Sequence, residues 1–487
     1  MRAAAGAGGG RTHRVAVVVV LAALLAAGGI ADRRSRTSRR PQGSSVISAQ
    51  VPVAAPASAR SSAWYCPGAP AAGTVDGSIV VANAGPRRLT GMVTVFPDKG
   101  DAKRTPIDVG PASRTGIRLA DVVSSPFAAA VVELDGGDAV ADVVASGPSG
   151  DSVSPCASSA SSSWYFAEGV TTKDATETLL ALNPFPDDAV VDVVFSTEEG
   201  VVSPQALTGL LLKGQALTSI NVGDFVQRRE SVSARIVART GRLIVGRTQS
   251  FDGTGTSGRK GTAVTLGAAA TGPVWYFPTG LVADGLGERF QIYNPGTAES
   301  QVEVDLALDS GSAEPLRLTV PRESRITVVA SDESRIPKGV AHSVTVKTTD
   351  GPEVVVERTV DGASPSARTG LSISVGARLP ASRWATAAGV ADDNTDQFVV
   401  VQNPGSRTAT VTLNLLADGA PVPVAGLSPF DIAPGSRREV RLNASLKRPA
   451  TPLLLTSTEA IVVERDLYRV KTAGMAMSPA IPLREPT

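Results

Sequence analysis

At 487 residues the chain is too long for one compact core, and its length predicts about three to five domains. Its formal net charge is +1, but residues 1–40 hold eight Arg and one Asp, which leaves 39 basic and 45 acidic residues beyond them. This mildly acidic balance lacks the clustered Lys and Arg of a nucleic-acid interface, so we exclude nucleic acid as a partner.

Residues 1–40 are typical of a signal or anchor segment with basic flanks. Three Arg precede residues 15–31, which are uncharged over 17 residues and therefore at the short limit of a membrane span. Small residues at Gly29 and Ala31 suit signal cleavage, whereas the Arg-rich run directly after them opposes translocation. We therefore expect a single-pass membrane protein with an extracytoplasmic C-terminal region, and secretion after cleavage as the alternative.

Residues 41–63 are rich in Pro, Ser and Ala and have no sustained apolar period. This composition predicts a flexible linker between the membrane segment and the rest of the chain.

A repeat begins at residue 64 and is marked by tryptophan and asparagine. The four Trp stand at Trp64, Trp164, Trp275 and Trp384, and nineteen residues after each stands an Asn: Asn83, Asn183, Asn294 and Asn403. We interpret the Trp as core anchors, since an indole buries a large apolar area and needs one hydrogen-bond partner. Stacking on a ligand is the alternative for the Trp. The Asn are read as turn residues that bond nearby backbone.

The repeat divides the chain into four parts, which we call segments 1 to 4: residues 64–156, 164–270, 275–380 and 384–482. Alternating apolar and polar residues, as in VEVDLALD at 302–309, predict antiparallel strands with one buried face. Paired β-branched runs late in each segment predict hairpins. About seven strands per segment predict an all-β fold of four tandem immunoglobulin-like β-sandwich repeats after the N-terminal helix. A propeller with two blades per segment is the rival architecture.

The motifs WYFAEG, LLALNP, FQIYNPG, VVVERT and IVVERDLY resemble an uncharacterised bacterial family of secreted or membrane-anchored proteins with tandem Trp-Tyr-Phe β repeats. The resemblance covers residues 64 to about 482. It implies a place in the cell envelope and carries over no activity, cofactor or catalytic residue. Segment 1 departs from the pattern with Cys66 in place of Phe, and segment 4 with Ala385 and Thr386 in place of Tyr and Phe.

Cys66 and Cys156 are the two cysteines of the chain and flank segment 1. An exported location favours a disulfide between them. Metal ligation is the alternative, but no His lies near either cysteine.

Few residues suit catalysis or metal binding. His342 is the one histidine beyond the N-terminal segment, and we expect a surface or half-buried residue rather than a base. Asp392, Asp393 and Asp396 suit Ca²⁺ in type, but a solvated loop is the preferred interpretation. We therefore predict no catalytic, cofactor or metal site.

The predicted function is that of a non-catalytic extracytoplasmic cell-envelope protein, a structural or protein-interaction scaffold. Its expected partners are the membrane, through the N-terminal segment, and envelope proteins or glycans. A cell-wall or glycan-binding module is the alternative, and an envelope hydrolase is the weakest of the three.

Overall fold

The computed structural model describes residues 51–485, except residues 149, 312 and 418. The predicted signal or anchor segment at residues 1–40 lies outside the described residues. In the described part the chain is all-β, with one short α-helix, α1, at Leu119–Val122. Four 3-10 turns lie at Gln205–Leu207, Val222–Asp224, Ala330–Asp332 and Leu442–Ala444. Between residues 51 and 485, none of the described helices has the length and apolarity to cross a membrane.

The strands number eight or nine per segment rather than about seven. Segment 1 contains β1 Ser62–Pro70, β2 Asp76–Asn83, β3 Leu89–Pro97, β4 Lys103–Val109, β5 Ser113–Arg118, β6 Phe127–Leu134, β7 Ala139–Gly147 and β8 Gly150–Pro155. Segment 2 contains β9 Ser163–Phe166, β10 Ala175–Asn183, β11 Ala189–Thr197, β12 Gly200–Val202, β13 Thr208–Leu212, β14 Ala216–Asn221, β15 Val232–Thr240, β16 Ile244–Asp252 and β17 Lys260–Leu266.

The remaining strands follow the same sequence of elements. Segment 3 contains β18 Val274–Leu281, β19 Leu286–Asn294, β20 Ser300–Leu308, β21 Leu316–Val320, β22 Ser324–Val329, β23 Ala341–Asp350, β24 Val355–Gly362 and β25 Gly370–Val375. Segment 4 contains β26 Ala381–Thr386, β27 Thr395–Gln402, β28 Ala409–Ala417, β29 Ala420–Pro423, β30 Phe430–Ile432, β31 Arg437–Arg441, β32 Leu453–Arg469, β33 Met475–Pro479 and β34 Ile481–Pro482.

Each of the first three segments builds two antiparallel sheets, and each sheet takes strands from both the early and the late part of the segment. In segment 1 the orders are β1-β6-β3-β4 and β5-β2-β7-β8, and segment 3 repeats them as β18-β23-β20-β21 and β22-β19-β24-β25. A propeller blade consists of consecutive strands, so these orders exclude the propeller for the described residues. In segment 4 the long β32 pairs with strands of both sheet types.

The paired β-branched runs late in the segments are not hairpins, so that prediction is wrong. β6 and β7 lie in different sheets, as do β15 and β16, and β23 and β24. In segment 4 the single strand β32 replaces both runs. A short turn between two apolar runs reverses the chain either within one sheet or from one sheet to the other, and the local sequence does not distinguish these outcomes.

All four Trp are 1% exposed and make the same hydrogen bond. The indole Nε1 donates to a backbone carbonyl at 2.9 to 3.1 Å, and the acceptors are Ala139, Leu243, Val354 and Ile461. In segments 1 to 3 the acceptor is the first residue of β7 or the residue just before β16 or β24, and in segment 4 it lies within β32. Each indole thus fills the space between the sheets while its one polar group stays paired.

The four Asn make a common turn at the end of the second strand. Each Nδ2 donates to the carbonyl four residues ahead, at 2.6 to 2.8 Å. Each Oδ1 accepts from the amide two residues ahead, at 2.9 to 3.1 Å. The side chain therefore satisfies backbone groups that leave the sheet at this point.

The predicted disulfide between Cys66 and Cys156 is confirmed. In segments 2 and 3 the positions of these cysteines hold a Phe and a Gly. A Cβ added at Gly267 would lie 2.7 Å from Phe166, and one at Gly376 would lie 2.7 Å from Phe277. The disulfide of segment 1 therefore stands where a phenylalanine ring covers a glycine in the next two segments.

Strands β8, β17, β25 and β33 meet at one centre and close the segments into a ring. We call them the last strands, although the two-residue β34 follows β33 in segment 4. β8 contacts β17, β17 contacts β25, β25 contacts β33, and β33 contacts β8. Side-chain hydroxyls join neighbouring strands there, as where the Val264 amide donates to Ser152 Oγ at 2.8 Å and the Met477 amide donates to Ser372 Oγ at 2.9 Å.

The expectation of a flexible linker does not hold for residues 51–61. Ala54 is fully buried, and its amide donates to the Pro482 carbonyl at 3.0 Å beside a parallel bridge to Leu483. The Asp138 amide donates to the Ala55 carbonyl at 2.9 Å. These contacts are made by backbone groups and by the methyl group of Ala54. The composition of the segment therefore could not predict them. They tie the start of the described chain to its end.

We expect the Cys66→Ser/Cys156→Ser variant to lose about 4 to 5 kcal/mol of stability in the chain-entropy treatment, because the bond closes a loop across 90 positions. The Cys66→Phe/Cys156→Gly variant should recover roughly 1 to 3 kcal/mol of that loss, since it installs the ring-over-glycine contact of segments 2 and 3. Urea denaturation of both variants and of the oxidised wild type measures this. If the Phe/Gly variant is no more stable than the Ser/Ser variant, the ring-over-glycine contact is not equivalent to the disulfide.

Candidate functional site: segment junctions and a central pocket

Three of the four junctions in the ring hold a buried ion pair between an arginine and an acid from the next segment. The pairs are Arg247–Glu357 between segments 2 and 3, Arg358–Glu464 between segments 3 and 4, and Arg465–Asp142 between segments 4 and 1. All six side chains are 3% exposed or less. The third pair joins the two ends of the repeat and so closes the ring.

Each acid also receives backbone amides of the preceding segment. Glu357 accepts from the Glu168 amide at 2.6 Å, and Glu464 accepts from the Thr279 amide at 3.2 Å. Asp142 accepts from the amides of Ala387 and Ala388 at 3.1 and 2.9 Å. Several charge-assisted bonds thus offset the cost of removing these charges from water.

The junction between segments 1 and 2 replaces both partners of the pair. Strand register places Val143 at the position of the arginines and Gly246 at the position of the acids. Pro67 occupies the freed space, since a Cβ added at Gly246 would collide with it. A single missing partner would leave a buried charge unpaired, and the sequence has avoided that state.

A second set of buried polar side chains lies thirteen residues after the Trp of segments 2 to 4: Glu177, Glu288 and Gln397. Burial, opposed by Arg247, raises the pKa of Glu177 to about 8, and neither of its carboxyl oxygens has a hydrogen-bond partner among the described residues. This carboxyl also explains a recurrent glycine, because a Cβ at Gly169 would lie 2.5 Å from Glu177 Oε2.

His342 is fully buried, so the expectation of a surface or half-buried position is wrong. Its Nε2 lies 2.9 Å from Glu288 Oε2, and Glu288 is 2% exposed. Burial lowers the pKa of His342, but the Glu288 carboxylate and the Val340 carbonyl together raise it by more, so the net pKa lies above the usual value. The pair sits inside segment 3, where a substrate could reach it only if the surrounding strands moved.

A pocket opens at the centre of the ring, at the ends of the last strands. Its walls come from equivalent positions of all four segments, among them Pro155, Leu266, Val375 and Pro479, which lie opposite the four junction positions in the strand register. The interior has a volume of about 90 Å³, and the depression that leads to solvent brings the empty space to about 870 Å³. Most of the lining is aliphatic, with the edges of three Trp.

Arg378 is the one charged side chain among the described residues that line this pocket. Its guanidinium carbon lies 5.4 Å from the centre of the Trp275 ring, and its Nη1 is buried with no hydrogen-bond partner in the described part of the chain. Burial lowers the pKa of Arg378, with Glu353 acting in the opposite direction. Gly272 makes room for this side chain, since a Cβ there would lie 2.5 Å from Arg378 Nε.

A shallower groove of about 420 Å³ lies between segments 1 and 2. Tyr65 and Phe185, both half-buried, form part of its wall together with buried Phe96, and exposed Arg104 and Glu133 stand at its rim. Aromatic faces next to polar groups are the usual composition of a small-molecule site.

The other residues singled out in the sequence lie in structural positions. Asp393 pairs with Lys447 at 2.7 Å and Asp396 with Arg441 at 2.8 Å, while Asp392 Oδ1 accepts from two amides of its own loop. A search of the described residues finds no cluster of three or more possible metal ligands.

The family comparison finds one match. The sequence profile of a family of unknown function, DUF5719, matches residues 142–369, somewhat less than half of the chain. The match begins within β7 and ends before β25, so it includes all of segment 2 and parts of segments 1 and 3. A search of curated proteins finds no significant match.

Solved structures give weak likenesses. Thermotoga maritima 1070 matches at 16% identity over 22% of this chain and 94% of its own, with a TM-score of 0.20. Anabaena sensory rhodopsin transducer matches at 22% identity over 18% and 94%, with a TM-score of 0.16. Streptomyces avermitilis α-L-rhamnosidase complexed with L-rhamnose matches at 11% identity over 80% and 54%, with a TM-score of 0.13. All three TM-scores are too low to support an inference.

Sequence reasoning missed the junction arginines, although a signal for them exists. Arg247 and Arg358 each follow their Trp by 83 residues, and Arg465 follows its Trp by 81. An arginine held in phase with a core residue suggests a structural role, and a buried arginine requires an acid that the segment itself does not supply.

We expect Arg358→Met to destabilise the protein by about 3 to 5 kcal/mol, because it leaves the Glu464 carboxylate buried without its cation. The double variant Arg358→Met/Glu464→Leu should be more stable than the single variant, since no unpaired charge remains. Denaturant unfolding monitored by tryptophan fluorescence measures both. Arg407→Met is the matched control, because the Arg407 side chain is 77% exposed and its ion pair with Glu459 should contribute less than about 1 kcal/mol. If the double variant is less stable than Arg358→Met alone, the buried unpaired carboxylate is not the cause of the loss.

Glu177 should make stability fall as pH rises. Its pKa is about 8 in the folded protein against 4.5 as the ordinary value, so the folded state holds the proton over this interval while the unfolded state has released it. The free energy of unfolding should therefore decrease from about pH 4.5 to about pH 8, by at most about 1.4 kcal/mol per pH unit.

Glu177→Gln should remove this slope, as Gln397 at the same position of segment 4 suggests. Denaturation at about pH 5 and about pH 9 compares wild type, this variant and the exposed control Glu299→Gln. Parallel pH dependence of wild type and Glu177→Gln would show that Glu177 is ionised in the folded protein.

Proposed function

We propose that this chain is a non-catalytic extracytoplasmic protein of the cell envelope that acts as a structural or protein-interaction scaffold. Its four segments are four tandem immunoglobulin-like sandwich domains, and residues 1–40 anchor it in the membrane, with secretion after cleavage as the alternative. The observation that carries the proposal is the closed ring: the recurrent arginines at the junctions pair there with acids of the next segment. What remains for partners is a rigid body with outward surfaces that differ between segments.

Two further observations support the proposal. A disulfide between fully buried cysteines suits an oxidising compartment outside the cytoplasm. His342 and Glu288, the pair best suited to acid–base chemistry, are enclosed within segment 3. A general base has to come within hydrogen-bond reach of the proton it abstracts, which this position does not favour.

A glycan-binding module is the second candidate, favoured by the groove between segments 1 and 2. Tyr65 and Phe185 offer partly exposed rings there, and Arg104 and Glu133 offer polar groups to hydroxyls. One face of Phe185 is already approached by the Arg242 guanidinium at 5.9 Å, which leaves less of the ring for stacking. For this reason the scaffold proposal ranks first.

One experiment separates the two candidates. Full-length protein is cross-linked in the cells that produce it, and purified protein is sedimented with insoluble cell-wall glycan. Both assays compare wild type, Phe185→Ala and the control Leu211→Ala. Leu211 suits the control because its side chain is 55% exposed on an outer strand. We expect reproducible cross-links to the same envelope proteins in wild type and Phe185→Ala, and no Phe185-dependent sedimentation. Sedimentation that Phe185→Ala abolishes and Leu211→Ala retains would replace the scaffold by the glycan-binding module.

A further inference from the structure

We propose that the central pocket binds an amphiphilic anion: an unbranched apolar chain with a carboxylate or phosphate head. The chain would lie between the last strands of the four segments, and the head would meet Arg378. This site is independent of the scaffold function proposed above and adds a ligand to it.

The shape of the pocket selects a slender ligand. An interior of about 90 Å³ at the end of a wider, open depression is narrow for a sugar ring or a folded peptide segment. Its walls include Val153, Leu266, Ile373 and Val375, whose aliphatic groups offer no pattern of hydrogen bonds. A methylene chain needs only such contacts, and its transfer from water is favourable in proportion to the area buried.

The charge of the pocket selects an anion. Arg378 stands in an apolar setting, and no carboxylate lies within ion-pair distance of it among the described residues. A guanidinium that is partly removed from water binds a carboxylate or phosphate through paired N–H donors more strongly than it binds a neutral group. The Trp275 ring, 5.4 Å from the guanidinium carbon, supports the side chain at the pocket wall.

The pocket also differs between segments at the position of Arg378. The equivalent stretches begin two residues after the pocket-wall residues Pro155, Leu266, Val375 and Pro479. They read ASS at 157–159, AAA at 268–270, ARL at 377–379 and IPL at 481–483. The structure bridges Ala157, Ala268 and Ala377 to the Tyr of their own segments, and Ile481 pairs with Ala385, so the four stretches lie in equivalent places. A single cation at one of four equivalent places is not required by the fold, which has small or apolar residues at the other three.

The test titrates the full-length protein with decanoate, decyl phosphate, decanol and decyltrimethylammonium by calorimetry below their micelle concentrations. We expect one molecule of decanoate or decyl phosphate to bind, and decyltrimethylammonium not to compete. Arg378→Gln should weaken binding of both anions by about tenfold or more and change decanol binding by less than about twofold. Arg378→Lys should restore only part of the lost affinity, because an ammonium keeps the charge but lacks the paired N–H donors.

Two controls keep the test decisive. Arg438→Gln removes an exposed guanidinium that stacks on Phe430 away from the pocket, and should leave every affinity unchanged. Leu379→Trp enlarges a half-buried side chain of the pocket wall and should weaken decanoate and decanol alike, with thermal unfolding recorded to show that the variant folds.

The two anions distinguish the source of the ligand, since tighter binding of decyl phosphate indicates a phospholipid-type head and tighter binding of decanoate indicates a free fatty acid. Either result supports the proposal. Equal decanoate affinity in wild type and Arg378→Gln, or no binding by either anion, overturns it. So does tighter, Arg378-dependent binding of a Leu-terminated peptide with a free carboxylate, which would make the pocket a peptide site.

Discussion

Closure of the ring is the constraint on which the rest of the structure depends. Because the last strand of each segment packs against the last strands of its neighbours, the strand beside it is enclosed as well, and its side chains leave water. An arginine there needs an acid, and the acid has to come from the next segment. Arg465 and Asp142 show the consequence most clearly, since they lie 323 positions apart and Arg465 Nη1 donates both to Asp142 Oδ2 and to the Ala388 carbonyl.

The exceptions to the repeat follow the same physical rule. Where the arginine is absent, the acid is absent too, and Val143 and Gly246 leave an apolar junction filled by Pro67. Segment 1 also lacks the arginine that lies over Phe166 and Phe277 in the next two segments, at 5.2 and 5.5 Å, and there a disulfide takes the position of the ring. Changes at contacting positions thus occur together, because each position determines what its neighbour can be without a void or an unpaired charge.

The sequence was sufficient for the β content and the disulfide, because alternation and cysteine number are local or countable properties. It was insufficient where the outcome depends on distant partners. The two runs joined by a short turn do not form a hairpin in segments 1 to 3, because the strand before the turn and the strand after it pair with neighbours in different sheets. His342 is buried because Glu288, 54 positions away, pairs with it. The contacts of Ala54 with Pro482 and Leu483 depend on ring closure, which no single stretch of sequence encodes.

The central pocket follows from the same closure. Four strands that converge on one centre cannot all present large side chains. The residues just beyond β17, β25 and β33 are accordingly small: Gly267, Gly376 and Ala480. The Phe166 ring lies over Gly267, and the Phe277 ring lies over Gly376. Small residues at a point of convergence leave space, and apolar space enclosed by rigid strands is retained because the strands cannot collapse into it without breaking their hydrogen bonds to one another. The fold therefore requires small residues at this centre but does not require a cation there. That difference separates Arg378 from the junction arginines, each of which has an acid built to meet it.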